Sequence, residues 1–113
     1  LSLPSMIGFH TAFNNDDKPE YAFAQQVVAF GQPGDVLMGI STSGNSKNII
    51  NAAKTARALG LKVLSLTGQD GGVLATLADI SIKAPATEVA RVQELHLPIY
   101  HSLCQMVEDT LFP

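Results

Sequence analysis

The sequence predicts a doubly wound α/β domain, in which a parallel sheet is flanked by helices. Short apolar runs alternate with segments of helical periodicity, an order that implies right-handed crossovers between parallel strands. The chain has 113 residues, enough for one domain with a modest core. Its composition, 46% hydrophobic and 15% charged, suits a buried sheet or a subunit whose faces are covered by partners.

Four apolar segments are predicted as strands. They cover residues 6–9, 35–40, 61–67 and 79–84. The second and third are continuous apolar runs, which is typical of strands inside a parallel sheet. Residues 10–20, HTAFNNDDKPE, are rich in Asn, Asp and Pro and are predicted as a loop.

Four further segments are predicted as helices. The first opens at Pro19, because proline is tolerated at the first helical position. The second covers residues 47–59 and ends at Gly60, a favoured C-terminal cap. A short helix covers residues 73–78, and a long one, capped by Thr87, extends to about residue 111. The apolar stripe of the first helix consists of Tyr21, Ala24, Val27, Val28 and Phe30.

Charge, cysteine content and hydropathy exclude several classes of function. The net charge is −3 and no basic cluster exceeds two neighbouring residues, which argues against direct nucleic-acid binding. The single Cys104 excludes an internal disulfide and an unaided thiolate zinc site. No apolar run approaches the roughly 18 residues that span a bilayer, and no signal peptide is visible. We therefore expect a cytoplasmic protein without membrane contact.

The stretch STSGNS stands where a predicted strand meets a predicted helix. Ligands of open parallel sheets bind beyond the carboxyl ends of the strands, and helix N-termini attract anions. The patterns GxxxxGK[ST] and GxGxxG are absent, so a monophosphate is favoured over a nucleoside triphosphate or a dinucleotide. Alternatively, Ser43 or Ser46 caps the helix and the rest form a polar turn. The predicted phosphate-binding residues are Ser41, Thr42, Ser43 and Ser46.

Asn15 and Asp16 follow the first predicted strand, so they are placed at the same side of the sheet. Such a pair commonly forms a local turn through its own side chains. The alternative is that both contact the hydroxyl groups of a substrate.

Gln93 and His101 are eight positions apart on the last predicted helix. This spacing leaves them about 80° apart around the helix axis and roughly 12 Å apart along it, so two side chains could converge on one site. Alternatively, Gln93 lies on a polar face and His101 is a hydrogen-bonded interior imidazole. Glu94 and His96 either line the pocket or face a neighbouring subunit. Pro98 should kink the helix between Gln93 and His101, because it removes one helical hydrogen bond.

Two long segments carry a resemblance to a known family. Residues 34–72, GDVLMGISTSGNSKNIINAAKTARALGLKVLSLTGQDGG, resemble the sugar isomerase (SIS) domain and, closely, the phosphoheptose isomerases. Residues 91–113, RVQELHLPIYHSLCQMVEDTLFP, continue that resemblance. It implies a flavodoxin-like fold with five parallel strands. Residues 1–113 would then form the C-terminal part of a SIS domain whose N-terminal helices lie outside this chain.

The resemblance also implies an enzymatic function in carbohydrate metabolism. The reaction would be the isomerisation of sedoheptulose 7-phosphate to D-glycero-D-manno-heptose 7-phosphate, a lipopolysaccharide precursor, in a homotetramer. The serine loop would bind the phosphate, and Asn15 and Asp16 would contact the substrate. Gln93 and His101 would contribute to a zinc site, and His101 to proton transfer. The other zinc ligands and the carboxylate base would come from an N-terminal helix outside this chain.

Two other functions fit the same fold. One is a non-catalytic SIS protein that binds the replication initiator DnaA and has a similar C-terminus. That relative carries Asn at the position of His101, which favours the enzyme. The other is a sensor domain that binds a sugar phosphate to control another module.

Overall fold

A computed structural model describes residues 1–6, 8–10 and 18–113. In this part of the chain, three strands form one parallel sheet with helices packed around it. The strands are β1 (Val36–Ile40), β2 (Lys62–Thr67) and β3 (Ile80–Lys83). The longer helices are α1 (Ala22–Phe30), α2 (Lys47–Ala58), α3 (Gly72–Leu77) and α4 (Val89–Leu111). Short 3-10 helices occupy Leu3–Ser5 and Pro19–Tyr21, and residues 8–10 are helical as well.

The sheet confirms the predicted fold class. Its strands lie in the order β1–β2–β3, and both pairs are parallel. Met38 is in register with Leu64, which is in register with Ile80. Because α2 and α3 connect successive strands, the three carboxyl ends meet at one edge of the sheet, where parallel α/β proteins bind their ligands.

The core lies between α1, α2, α3 and one face of the sheet. Three alanines of α2 are almost fully buried, and their small side chains let that helix lie close to the strands. The buried cluster consists of Val27, Ala52, Ala53, Ala56, Leu61, Val63 and Leu74. The same face of β1 has Gly39 opposite Ile49 and Leu74.

Gly60 ends α2 as predicted. Its φ of +84° lies in the left-handed region, where glycine is at no disadvantage. The N–H of Gly60 donates to Arg57 (3.2 Å) and the N–H of Leu61 donates to Ala56 (2.9 Å). These two bonds are those of a Schellman motif, which satisfies the last carbonyls of a helix and turns the chain into the next strand.

The first predicted strand is wrong. Gly8 and Phe9 are helical, and the N–H of His10 donates to the carbonyl of Met6 at 3.1 Å. An apolar run of four residues shows no period, so it suits either a strand or a short helical turn. Residues 11–17, which belong to the predicted loop, lie outside the described part of the chain.

Two helix predictions need smaller corrections. The stripe of α1 is partly wrong, because Tyr21, Val28 and Phe30 are 45%, 55% and 52% exposed while Gln26 is buried. Helix α4 begins at Val89 after Glu88, not after Thr87. Between Val89 and Leu111 it runs through Pro98 as one helix.

The second face of the sheet is open along β1 and at the start of β3 in the described structure, although Leu66 of β2 on the same face is fully buried. Val36, Met38 and Ile40 alternate along β1, share that face and are 64%, 44% and 42% exposed. Ile80 of β3 lies on the same face and is also exposed. The sequence predicts β1 as buried on both faces, and within this chain it is buried on one. Over the described ranges, none of the helices combines the length and the apolar character needed to cross a bilayer.

Candidate functional site

The serine loop, residues 41–46, leaves the sheet at the carboxyl end of β1. The N–H of Ser41 donates to the carbonyl of Leu66 at 3.0 Å, so the loop starts from a residue still paired with β2. Ser46 is the N-cap residue of α2. The loop therefore lies between the end of a strand and the start of a helix, as the sequence predicts.

Ser41 supports the loop from inside. Its side chain is buried, its hydroxyl oxygen accepts the N–H of Gly44 at 3.1 Å, and it lies 2.9 Å from the hydroxyl of Ser46. These contacts close the loop into a ring. The role of Ser41 as a phosphate ligand stays a prediction, and the structure gives its hydroxyl a second role in shaping the loop.

The remaining hydroxyl groups are accessible. Ser43 and Ser46 are exposed and Thr42 is half-buried. Ser46 makes no side-chain cap bond to α2, so the alternative in which this serine caps the helix through its hydroxyl is wrong for Ser46. The first N–H groups of an α-helix have no partner within the helix, and together with the helix dipole they attract an anion.

A second glycine-containing turn, residues 68–72, packs against the serine loop and supports it from the outside. Gly44 has φ +70°, and a Cβ placed on it would lie 2.0 Å from the carbonyl oxygen of Gly71. The carbonyl of Gly44 accepts the N–H of Leu74 at 2.9 Å. The side-chain oxygen of Asn45 accepts the N–H of Val73 at 3.0 Å. The backbone of Gly71 therefore lies so close to the loop that a side chain on residue 44 would not fit between them.

Sequence reasoning missed this brace and a nearby cation. The signal that could have found it is the pair of adjacent glycines in GQDGG, residues 68–72, because glycines allow close backbone contact. Lys83 ends β3 in register with Thr67. Its Nζ would lie 3.3 Å from a Cβ on Gly71, so a positive charge stands beside the brace of the loop. This placement favours an anionic ligand.

Gln93 and His101 are both exposed on α4. The ring of His101 packs edge-on against Tyr100, with centroids 5.1 Å apart, so the alternative of an interior imidazole is wrong for His101 within this chain. His96, three residues after Gln93, is the buried histidine of this helix. Glu94 is exposed and lies 3.7 Å from Arg91.

Comparisons with known proteins agree with this geometry. Residues 1–68 match the SIS domain family. The chain belongs to the SIS domain family. It is 45% identical, over 106 residues, to a phosphoheptose isomerase of Alteromonas mediterranea, a match that covers 91% of this chain and 54% of that protein. A phosphoheptose isomerase of Histophilus somni is 51% identical over 96 residues, which cover 84% of this chain and 49% of the relative.

Solved structures of similar proteins have the same fold. Phosphoheptose isomerase GmhA of Neisseria gonorrhoeae superposes with a TM-score of 0.93 at 39% identity, covering 96% of this chain and 61% of that one. A phosphoheptose isomerase of Francisella tularensis has a TM-score of 0.92 at 37% identity, with 96% and 59% covered. This SIS chain spans about half the length of the curated relatives that it matches.

The described residues of this SIS chain do not by themselves form a zinc site. Structural and catalytic zinc ions take three or four protein ligands. Within residues 1–6, 8–10 and 18–113, no group of three His, Cys, Asp or Glu side chains is close enough to hold a metal. Gln93 and His101, both exposed on α4, are two candidate ligands. Asn15 and Asp16 lie outside the described residues, so their predicted contacts with substrate stay predictions.

An apolar cleft of this SIS chain lies away from the serine loop. Its volume is 470 Å³, and β1 forms one of its walls. The first four residues of the chain and Phe23 form another part of the lining. The candidate phosphate site is therefore an open polar turn, and the cleft follows the exposed strand.

Proposed function

We propose that the protein to which this chain belongs is a phosphoheptose isomerase that converts sedoheptulose 7-phosphate to D-glycero-D-manno-heptose 7-phosphate. One observation carries the proposal: a loop of hydroxyl side chains, closed on itself, stands at the N-terminus of α2. The relatives named phosphoheptose isomerase support it, since they match 91% of this chain at 45% identity.

The serine loop binds the phosphate group in this proposal. Thr42, Ser43 and Ser46 donate hydrogen bonds from their hydroxyl groups, and the first N–H groups of α2 add further donors. Ser41 shapes the loop and is the fourth phosphate-binding residue in this proposal. Because the phosphate lies at the end of the sugar away from the carbonyl, its binding energy serves to orient the reacting carbons.

The isomerisation moves a proton between two neighbouring carbons. A base removes a proton from the carbon beside the carbonyl, an enediol forms, and an acid returns the proton to the adjacent carbon. His101 is our candidate for proton transfer, because imidazole both gives and accepts protons near neutral pH. Asn15, Asp16 and Gln93 contact the sugar in this proposal.

Part of the site lies outside this chain. In the whole protein Gln93 and His101 would hold zinc together with further ligands, and zinc when bound polarises carbonyl and enediol oxygens. The carboxylate base also comes from outside residues 1–113. We therefore expect this chain alone to bind sugar phosphate and to be inactive in an isomerase assay.

We further propose that the enzyme is a cytoplasmic homo-oligomer, most simply a tetramer. The second half of α4 and the residue that follows it are exposed, and four large apolar side chains there do not pack against the body of the domain. These are Met106, Val107, Leu111 and Phe112. A second copy of the chain would remove this apolar surface from water.

A turnover assay with a matched binding assay tests the function. The full-length protein should form the aldose heptose phosphate from sedoheptulose 7-phosphate. His101→Asn should abolish turnover and leave sugar-phosphate binding within about threefold, because the serine loop is untouched. Gln105→Ala, on the exposed surface of the same helix, is the control and should behave as wild type.

Binding of the heptose phosphate without any turnover by the wild-type protein would overturn the proposal. In that case, capture of DnaA by the purified protein would identify the DnaA-binding function. Failure to capture it would leave the sugar-phosphate sensor as the better assignment.

A further inference from the structure

Two side chains attach α4 to the rest of the domain. Of its 23 residues, Val92 and His96 are the buried ones, at 0% and 2% exposure. They are four positions apart, so they lie on one side of the helix. Val92 packs against Gly68, where a Cβ would lie 3.1 Å from its Cγ2.

His96 forms a directed bond at this attachment. Its Nε2 lies 2.8 Å from the carbonyl oxygen of Thr67 in a buried setting. A carbonyl oxygen only accepts, so the hydrogen is on Nε2 and the donor is the imidazole. The other ring nitrogen, Nδ1, is buried and has no hydrogen-bond partner among the residues that the structure describes.

Stability alone does not explain an imidazole at this position. The carbonyl of Thr67 also accepts the N–H of Ala84 at 2.9 Å, so it keeps a partner without His96. An apolar side chain of similar size would avoid the unpaired buried nitrogen, which is a cost to folding. The imidazole adds a hydrogen bond with a preferred geometry, and such a bond restricts the rotation of α4 more than apolar contact does.

The residue that accepts the His96 bond is followed in sequence by one that contacts the serine loop. Thr67 is followed by Gly68, whose N–H donates to the carbonyl of Thr42 at 2.9 Å. A Cβ on Gly68 would lie 2.8 Å from the same oxygen, so the chain segments are in close contact there. His96, Thr67, Gly68 and Thr42 thus form a continuous chain of covalent and hydrogen bonds.

We propose that His96 is a positioning residue that sets the rotation and the axial placement of α4 relative to the serine loop. The proposal rests on the proposed isomerase function, in which the phosphate is held by that loop and the proton is moved by His101 of α4. Gln93 lies about 60° from His96 around the helix axis and His101 about 140°, so a rotation of α4 moves both. Small misplacements of reacting groups lower rates strongly.

Two variants of the full-length enzyme test the proposal. His96→Leu keeps an apolar side chain without the donor. We expect kcat to fall on the order of 10- to 100-fold, with KM and the inhibition constant of inorganic phosphate changed less than about twofold. The melting temperature should not fall. His96→Gln should restore most of kcat, because its amide Nε2 stands as many bonds from Cβ as the imidazole Nε2 and also donates.

His10 provides a matched control in the same chain. Its Nε2 lies 3.0 Å from the carbonyl of Leu3, so it makes the same kind of bond, but at the N-terminal segment beside Phe23. His10→Leu removes that bond and should leave kcat within about twofold of wild type, since the described partners of His10, which are Leu3, Phe9 and Phe23, lie outside α4.

Hydrogen exchange provides a readout that does not depend on turnover. In His96→Leu, amides of α4 should exchange at least about tenfold faster while those of α2 are unchanged, and His10→Leu should not affect α4. If the wild-type protein does not isomerise the heptose phosphate, the proposed function fails, and this exchange pattern still decides the positioning role. Unchanged exchange and kcat in His96→Leu would overturn the proposal. Equal losses of kcat and of melting temperature in the Leu and Gln variants would overturn it too.

Discussion

The serine loop and helix α4 differ in how completely this chain builds them. The loop is held by hydrogen bonds from its own residues and by the backbone of residues 71–74. Helix α4 is held by two buried side chains, and its residues from 101 onward are almost all exposed. The difference indicates that this chain by itself fixes the conformation of the serine loop, whereas it fixes the placement of α4 through a small part of that helix.

The largest expected effect comes from breaking the brace of the loop. Gly44→Ala combines a φ of +70° with a Cβ that overlaps the backbone of Gly71, which has no side chain to move aside. We expect the free energy of unfolding to fall by about 3 kcal/mol. Sugar-phosphate affinity should fall at least about tenfold. Urea unfolding and calorimetric titration of the full-length protein measure the two quantities.

Gly34→Ala is the matched control for that change. Gly34 also has a positive φ, +92°, but nothing lies within 4 Å of its Cβ position. Only the backbone conformation is disfavoured, so the cost should be about 1 kcal/mol with unchanged phosphate affinity. Equal effects of the two substitutions would show that the contact between Gly44 and Gly71 does not shape the site.

A charge on the exposed part of α4 should separate subunits without harming the loop. Val107 is 54% exposed in the isolated chain and is buried in the proposed oligomer. Val107→Glu should therefore raise the dissociation constant of the oligomer at least about tenfold, because an unpaired carboxylate is costly to bury. Sedimentation equilibrium of the full-length protein measures this change. Glu108→Gln, at the next residue and also exposed, is the control. If the Val107→Glu protein sediments with the same oligomer mass as the wild type, the proposed interface is contradicted.

The smallest expected effect concerns the acid stability of the domain body. The N–H of Val63 donates to Asp79 at 2.8 Å and holds the pKa of that carboxyl below its ordinary value, with help from Lys62 and Arg57. A pKa lowered in the folded state contributes stability above the unfolded pKa, and this contribution is lost as the pH falls through the folded pKa. Wild type should exceed Asp79→Asn in stability near pH 6.

That advantage should shrink below about pH 4, the range in which aspartate titrates. Urea midpoints of both proteins between pH 6 and pH 2.5 measure it. A difference that stays constant over this range would contradict the role of the Asp79 charge. The exchange rates of α4 serve as the control, because Asp79 precedes β3 at the opposite end of the sheet from the serine loop and should leave α4 unaffected.

Sequence reasoning succeeded where the signal is local. The strands at residues 35–40 and 61–67, the end of α2 at Gly60 and the position of the serine loop all follow from neighbouring residues. It failed at residues 6–9, since four apolar residues carry no period that separates strand from helix. It also placed Val28 and Phe30 in the core, where Gln26 lies instead.

The sequence by itself determined the parallel α/β fold and the loop of hydroxyl groups at the start of α2, because propensity, capping and the alternation of segments act over a few residues. Only the tertiary structure decided that Gly71 braces the loop, that Ser41 points inward and that His96, not His101, is the buried histidine of α4. The Gly71 contact and the burial of His96 depend on segments about 25 to 30 residues apart, and no local pattern encodes which surfaces such segments present to each other.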